Sequence, residues 1–269
     1  MAVLLKDDLS QELPLLLADQ EWLGALRILP SVDSTNEAVK RMASEGAAEW
    51  TVVVAEEQKS GRAAGRRRWY SPRGGGLWLS VLVRPSAGQG DAGVLTLAAA
   101  VAAAEAVEEQ SGLSPRILWP GELQLSGRTF GGVFVELSYQ GSRPAFAVLG
   151  VGLDVNLTAL DLPPAARLPT TSLVRALGRP VPRAELGRAL LVRLHRYVEE
   201  QRAGRLAGLL AAYVSRLAGL GEEVTLVRGG ERLRGRLMAV RADGGLELVT
   251  EDGTVRVVHS GRLSLAPER

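Results

Sequence analysis

Thr51–Arg84 reads TVVVAEEQKSGRAAGRRRWYSPRGGGLWLSVLVR, and its texture changes twice. Thr51 to Val54 is a β-branched run that predicts a buried strand. Leu77 to Val83, with Trp78 inside it, predicts a second. Between them lie Lys59, five arginines (Arg62, Arg66, Arg67, Arg68, Arg73) and several glycines. Guanidinium groups offer planar donor forks to phosphate or carboxylate, and glycine lets backbone approach a ligand closely. A cationic loop between two buried strands therefore suits the enclosure of an anion, although a solvated basic loop has the same composition.

Composition narrows the classes. The 269 residues allow one large domain, or one large and one small, and 46% apolar residues suffice for a core. With no cysteine, disulfides and thiolate metal sites are excluded. His195 and His259 are far apart in sequence, so no metal site is expected. No apolar run approaches the ~20 residues of a membrane span. The start, MAVLLKDDLSQELP, carries acidic residues too early for a secretory signal, so the simplest expectation is a cytoplasmic protein without a membrane partner. A net charge of +2 gives no general drive towards nucleic acid.

Outward from the loop, Asp8 to Leu26 has leucines at helical spacing and predicts one helix. Asp33-Ser34-Thr35-Asn36 precedes a second helix, Glu37 to Gly46, with Ser34 or Thr35 as N-cap. Gly88-x-Gly90-x-x-Gly93 matches a dinucleotide fingerprint, but Arg84-Pro85-Ser86-Ala87 separates it from the strand. A connection into the helix Val94 to Gln110 is the better reading. That helix is alanine-rich and apolar nearly all round, which predicts burial. Pro182 to Leu220 is helical in pattern, with His195 on a surface or boundary position. From Gly221 the texture becomes short alternating strands separated by Gly229-Gly230, Asp243-Gly244-Gly245 and Asp252-Gly253, which predicts a barrel of about five strands. The expected domains are thus 1–220 and 221–269.

Four stretches resemble the biotin protein ligases. Ala55, Glu56, Gln58, Gly61, Arg62, Arg67, Trp69, Ser71, Pro72, Gly74, Leu77 and Ser80 match that family's ligand loop in register, while Ala63, Ala64, Gly65 and Arg66 replace its Gly-Arg-Arg-Gly. Asp33 to Asn36 matches the motif ahead of its first helix. RILWPGELQLSGRTFGGVFVE (Arg116–Glu136) is similar to Lys-Trp-Pro-Asn-Asp-Leu followed by Arg-Lys-Leu-Ala-Gly-Ile-Leu-x-Glu, through Trp119, Pro120, Leu123, Arg128, Gly132, Val135 and Glu136. AVLGVGLDVNL (Ala147–Leu157) is similar to Gly-x-Gly-x-Asn-Val-Asn, with Asp154 at the first asparagine.

The resemblance implies an α/β (α+β) fold, with a mixed β-sheet flanked by helices of the class II aminoacyl-tRNA synthetase kind and a small C-terminal β-barrel. It implies ATP-dependent activation of biotin, with Mg2+, and transfer to a lysine of a biotin carboxyl carrier protein or carrier domain. Ser34, Thr35, Asn36, Gln58, Gly61, Arg62, Trp69 and Gly132 would contact biotin. Arg66, Arg67, Arg68, Trp69, Asp154 and Asn156 would contact the nucleotide. Arg62, Arg67, Arg128 and Thr129 would stand at the reacting atoms, no resident metal ligand being expected. Thr129 occupies the position of the family lysine that bridges the biotin carboxylate and the α-phosphate, and Leu118 that of a second lysine. Arg128 is adjacent to Thr129, but neighbours on a strand face opposite sides unless a bulge intervenes. The departures cluster where carboxylate and phosphate meet, so a biotin-binding relative with weakened chemistry, or a ligase for another acyl acid such as lipoate, is the alternative. With no helix-turn-helix pattern ahead of Ser34, no DNA contact is expected. The family also makes a homodimer possible.

Overall fold

Two sheets organise the chain, and the loop between the first two buried runs lies over the larger one. The computed structural model describes residues 9–62, 68–85, 92–162 and 170–265. The larger sheet contains β1 (Ala25–Leu29), β2 (Thr51–Ala55), β3 (Gly76–Val83), β4 (Arg116–Leu118), β5 (Glu122–Leu125), β6 (Arg128–Gln140) and β7 (Arg143–Asp154). Their order is β1-β2-β3-β7-β6-β5-β4, with β1 parallel to β2 and the other pairs antiparallel. The mixed sheet flanked by helices matches the expected class.

Strand alternation assigns the two faces. In β2 and β3, Val52, Val54, Leu79, Val81 and Val83 join the main core with helices α3 (Ala92–Ser111) and α5 (Arg183–Arg202). Val53 and Leu82 point the other way, onto Ala38, Val39 and Ala43 of α2 (Thr35–Ser44). On that second face Trp78 packs with Leu157, Leu162 and Trp69, and Ser80 is fully buried between Trp78 and Leu82. α3 lies between the sheet and α5, which explains why it needs no polar face.

Several predicted elements have different bounds. The helix expected over Asp8 to Leu26 is only α1 (Leu9–Leu16), and Ala25–Leu29 is instead the edge strand β1. Its leucine spacing fits either structure, and pairing of Leu26 with Val52 and Ile28 with Val54 decides for the strand. The helical run from Pro182 divides into α5 and α6 (Ala207–Arg216), with Gly204 between them at φ 72°, a conformation favourable only to glycine. α4 (Leu173–Leu177) starts at Ser172, whose hydroxyl accepts from the Arg175 N–H, and stops at left-handed Gly178. The connection predicted over Ser86 to Gly93 lies outside the described residues up to residue 91, and Gly93 is already in α3.

The second sheet consists of β8 (Glu223–Arg228), β9 (Glu231–Val240), β10 (Leu246–Val249), β11 (Val255–Val258) and β12 (Arg262–Ser264), all antiparallel in the order β11-β10-β9-β8-β12. The three glycine-bearing segments predicted as turns do connect β8 to β9, β9 to β10 and β10 to β11. Its Val224, Leu226, Leu237, Leu246, Leu248 and Leu263 are continuous with the main core. The junction is also hydrogen-bonded. Trp119 Nε1 donates to the Gly244 carbonyl at 3.0 Å, and the Ala218 N–H donates to the Ile117 carbonyl at 2.9 Å.

Candidate functional site

A cavity of about 640 Å³ opens on the α2 face of the large sheet, a size suited to a small-molecule ligand. Its floor is β7 and β6. Gly150, Gly152 and Asp154 occupy alternate positions of one strand and all line it, as do Thr129 and Gly132. The glycines are required by close approach. A Cβ at Gly150 would fall 2.3 Å from Asn36 Oδ1, and one at Gly152 would fall 2.8 Å from Trp69 Nε1.

One end of the cavity is a fixed polar array. Ser34, Thr35 and Asn36, at the start of α2, are buried at 3%, 3% and 5% exposure. The Ser34 side chain makes no capping bond, so its hydroxyl is not committed to the helix it precedes. Gln58 Oε1 accepts from the Thr35 N–H at 2.9 Å and meets Thr35 Oγ1 at 3.0 Å. Gln58 Nε2 donates to Ser71 Oγ at 2.9 Å. The Ser80 hydroxyl bonds to Thr35 Oγ1 at 2.7 Å and to Asn36 Oδ1, while Asn36 Nδ2 donates to Glu136 Oε2 at 2.8 Å. Each amide is thus oriented by its neighbours, and the array presents donors and acceptors in fixed places to a ligand head. Ser80 received no role in the sequence reading. The signal was present, because a serine inside the otherwise apolar Leu77 to Val83 must find buried partners.

The arms of the cationic loop cross above this array. Gln58 bridges to Ser71 and Arg62 to Arg68, and the Trp69 N–H donates to the Gly61 carbonyl at 2.8 Å. Gly61 permits this crossing, since a Cβ would lie 2.6 Å from the Trp69 carbonyl oxygen. Arg62 forms ion pairs with Glu37 and Glu136, and Glu136 also holds Lys40 Nζ at 2.6 Å. Arg68 donates to the Lys59 carbonyl at 2.7 Å. Arg66 and Arg67, assigned to the nucleotide and to the reacting atoms, lie outside the described residues. The loop base is held from below: Arg183, 3% exposed, clasps both oxygens of Glu56 at 2.9 and 3.3 Å and donates to the Gly76 carbonyl.

Towards the other end, the cavity wall passes Leu118, Trp119, Pro120, Gly121, Glu122, Thr129 and Asp154, then Gly261, Arg262 and Leu263 of the second sheet. Thr129 donates to Glu122 Oε1 at 2.6 Å, and Gln124 Nε2 donates to the same oxygen at 2.9 Å. Burial pushes the Asp154 carboxyl well above the usual carboxylate range, favouring its neutral form.

Three described sequence assignments are not among the cavity-lining residues: Gly61, which serves the loop crossing, Arg128 and Asn156. The ladder between β5 and β6 does contain an irregularity, Gly131 facing Leu123 and Thr129 facing Gln124, so Phe130 is the extra residue. Even so, Arg128 remains exposed and outside the cavity lining, while Thr129 is on it. Asn156 is also outside. Its Nδ2 donates to the Val181 carbonyl and its Oδ1 accepts from the Val181 N–H, both at 2.9 Å, so the amide ties the end of β7 to the approach of α5. His195, distant from the cavity lining, stacks on Trp22 at 4.5 Å with Trp50 edge-on at 4.8 Å. Burial lowers its pKa, with Glu199 opposing the shift and Arg202 adding to it.

A mixed sheet with α2 aimed into it, the arms of a cationic loop across it and a small second sheet at one end form a cavity suited to a small, partly anionic ligand. Residues 28–154 match the model of the biotin/lipoate A/B protein ligase family. A biotin–[acetyl-CoA-carboxylase] ligase of Paracoccus denitrificans is 30% identical over 228 residues, covering 82% of this chain and 92% of the relative. The bifunctional ligase/repressor BirA of Bacillus subtilis is 27% identical over 234 residues, 87% of this chain and 72% of the relative. Among solved structures, the biotin protein ligase of Aquifex aeolicus in complex with biotin and ATP superposes with a TM-score of 0.77 at 27% identity, covering 89% of this chain and 97% of that one. The chain belongs to the biotin protein ligase family.

Proposed function

We propose that the chain is an ATP-dependent biotin–[acetyl-CoA-carboxylase] ligase. The observation that carries this reading is the buried array of Ser34, Thr35, Asn36 and Gln58, braced by Ser71 and Ser80, at one end of a cavity floored by glycines. A cyclic urea has one acceptor flanked by two donors, and such an array rejects ligands that leave its polar groups unpaired. The ligase of Aquifex aeolicus, which binds biotin and ATP, supports the same reading.

In the first step the biotin carboxylate oxygen attacks the α-phosphorus of ATP, forming biotinyl-adenylate and releasing pyrophosphate. In the second, a carrier lysine amine attacks the acyl carbon, forming the amide and releasing AMP. The chain's contribution is placement: Gly152 and Gly132 admit Trp69 onto the sheet beside the ligand chain, and Arg62 with Arg67 would cover it. Arg66 and Arg68 serve the phosphates in this reading. Asp154, whose carboxyl burial holds well above the usual carboxylate range, resembles the asparagine of the family motif in shape.

Mg2+ would neutralise phosphate charge during the first step. Among the described residues there is no cluster of three or more acidic or imidazole side chains, and Glu122 and Asp154 are the described carboxylates on the cavity wall. Glu122 would help hold such a cation against the phosphates, since magnesium is commonly bound through one or two carboxylates plus substrate phosphates. The division into a catalytic unit over 1–220 and a C-terminal unit over 221–269 belongs to this proposal, supported by the second sheet that begins at Glu223. A carrier domain is the protein partner; homodimer formation remains part of the family expectation.

The test is calorimetric titration with biotin, with lipoate, and with a non-hydrolysable biotinyl-adenylate analogue, followed by biotin-dependent pyrophosphate release. A ligase binds biotin over lipoate and binds the analogue orders of magnitude more tightly. Biotin binding with no gain for the analogue and no pyrophosphate would leave only a biotin-binding protein.

A further inference from the structure

An asparagine that reads a ligand must have its carboxamide turned one way, because a half-turn about its last torsion exchanges a donor for an acceptor. Resting on the reading of the cavity's polar end as a ureido site, the question is what turns Asn36. Its amide lies over the cavity floor: a Cβ at Gly150 would stand 2.3 Å from Oδ1 and 3.1 Å from Nδ2. Ser80, bonded to Oδ1, leaves the choice open, because a hydroxyl both donates and accepts and can serve either end of the amide. A carboxylate only accepts, and the group 2.8 Å from Nδ2 is Glu136 Oε2.

Strand pairing brings Glu136 to this place. Gly132, Phe134 and Glu136 are alternate residues of β6, opposite Gly152, Gly150 and Val148 of β7. Gly132 and Phe134 line the cavity, whereas Glu136 is one step beyond it, where Val148 packs with Ala38 and Val39 of α2. There it meets one face of α2, taking Asn36 on Oε2 and Lys40, four residues on, at 2.6 Å on Oε1. Arg62 of the loop arm approaches the same Oε1 at 3.8 Å. Glu136 is not part of the cavity lining, so it acts on a ligand through Asn36. With the Asn36 amide reversed, its oxygen would face the carboxylate, and two acceptors would be set against each other.

We propose that Glu136 is a positioning residue of the ureido site: as an acceptor-only group it holds Asn36 with its nitrogen towards β6 and its oxygen towards Ser80. The second Nδ2 hydrogen and the free lone pair of Oδ1 are then offered to the ligand in one arrangement. A glutamine at this position has the same shape but presents either end, and the two amides can turn together. The negative charge sets the orientation.

The experiment compares wild type with Glu136→Gln and with Lys40→Met, each as the full-length chain. Calorimetry gives the biotin Kd, biotin-dependent pyrophosphate release gives KM and kcat, and thermal melting reports stability. Glu136→Gln is expected to raise the Kd and KM for biotin roughly tenfold, about the value of one hydrogen bond, with kcat within about threefold of wild type. That split marks binding lost equally from the ground state and the transition state. Lys40→Met removes an ion pair on the same carboxylate; it should lower the melting temperature and leave the biotin Kd within about twofold. An unchanged Kd in Glu136→Gln, or an equal rise in Lys40→Met, would overturn the assignment and leave the carboxylate as a tie between α2 and the sheet. A wild type that binds biotin yet releases no pyrophosphate would end the ligase reading, while the Kd comparison would still decide this one. A wild type that binds no biotin would overturn both.

Discussion

The indole of Trp69 occupies the space where a side chain at Gly152 would begin: a Cβ there would lie 2.8 Å from Nε1 and 3.1 Å from Cε2. That Nε1 is buried and, among the described residues, has no hydrogen-bond partner. A buried donor beside the cavity is therefore available to a ligand. Gly152→Ala should displace the indole and raise the biotin Kd by tenfold or more, while Trp69 can swing outward and spare the fold. Calorimetry together with thermal melting checks this; an unchanged Kd would mean that the indole does not pack on the ligand.

Ser80 acts one layer below. It is fully buried and braces both Thr35 and Asn36. Ser80→Ala should leave those groups short of a partner and lower unfolding free energy by about 1–3 kcal/mol. Biotin binding should weaken in parallel. Denaturant titration provides the first number, and a loss below about 0.5 kcal/mol would show that the array reorganises without it.

Arg183 and Glu56 form a bidentate pair beneath the loop base. Removing one member of a fully buried pair typically costs about 3–5 kcal/mol, and Glu56, 21% exposed, keeps some access to water, so the loss here should be smaller. Arg183→Met should lower stability by about 1–3 kcal/mol by chemical denaturation, and the Arg183→Met/Glu56→Gln double variant should recover part of it. Additivity of the two single losses would refute direct coupling.

Asp154 provides a pH test. Its pKa is raised in the folded state by burial from an ordinary 3.8, so the native chain binds more protons than the unfolded chain over the interval above that value. Stability from this group is complete below the unfolded pKa and declines as pH rises towards the folded one. Asp154→Asn removes the ionisable group and should be more stable than wild type at about pH 8 but not at about pH 4. It should bind the adenylate analogue at least as well. Equal stability differences at both pH values would sink the argument.

The four matching stretches were legible because each is local. A β-branched strand, a glycine-bearing loop, a polar tripeptide before a helix and alternating glycines on a strand all act through neighbours a few residues apart. Strand β1 was not legible, since its leucines fit a helix until Val52 and Val54 are set beside them. Asn156 shows the reverse limit: a motif match suggested a nucleotide contact, whereas its amide pairs with Val181 outside the cavity lining, a partner invisible to local pattern.

From the residues came the cationic loop between buried strands and the polar stretch ahead of the first helix of the site, and from the family resemblance they carry came the mixed α/β class and the missing lysine at Thr129. Tertiary structure alone decided which polar groups meet. Ser80 reaches α2 across 45 residues, Arg183 reaches Glu56 across 127, and Arg262 joins the cavity from another sheet. The reason is physical: periodicity records which face of an element is apolar, but a charge is placed by whichever surface packs over it. That depends on sheet order and on how the second sheet docks at Trp119.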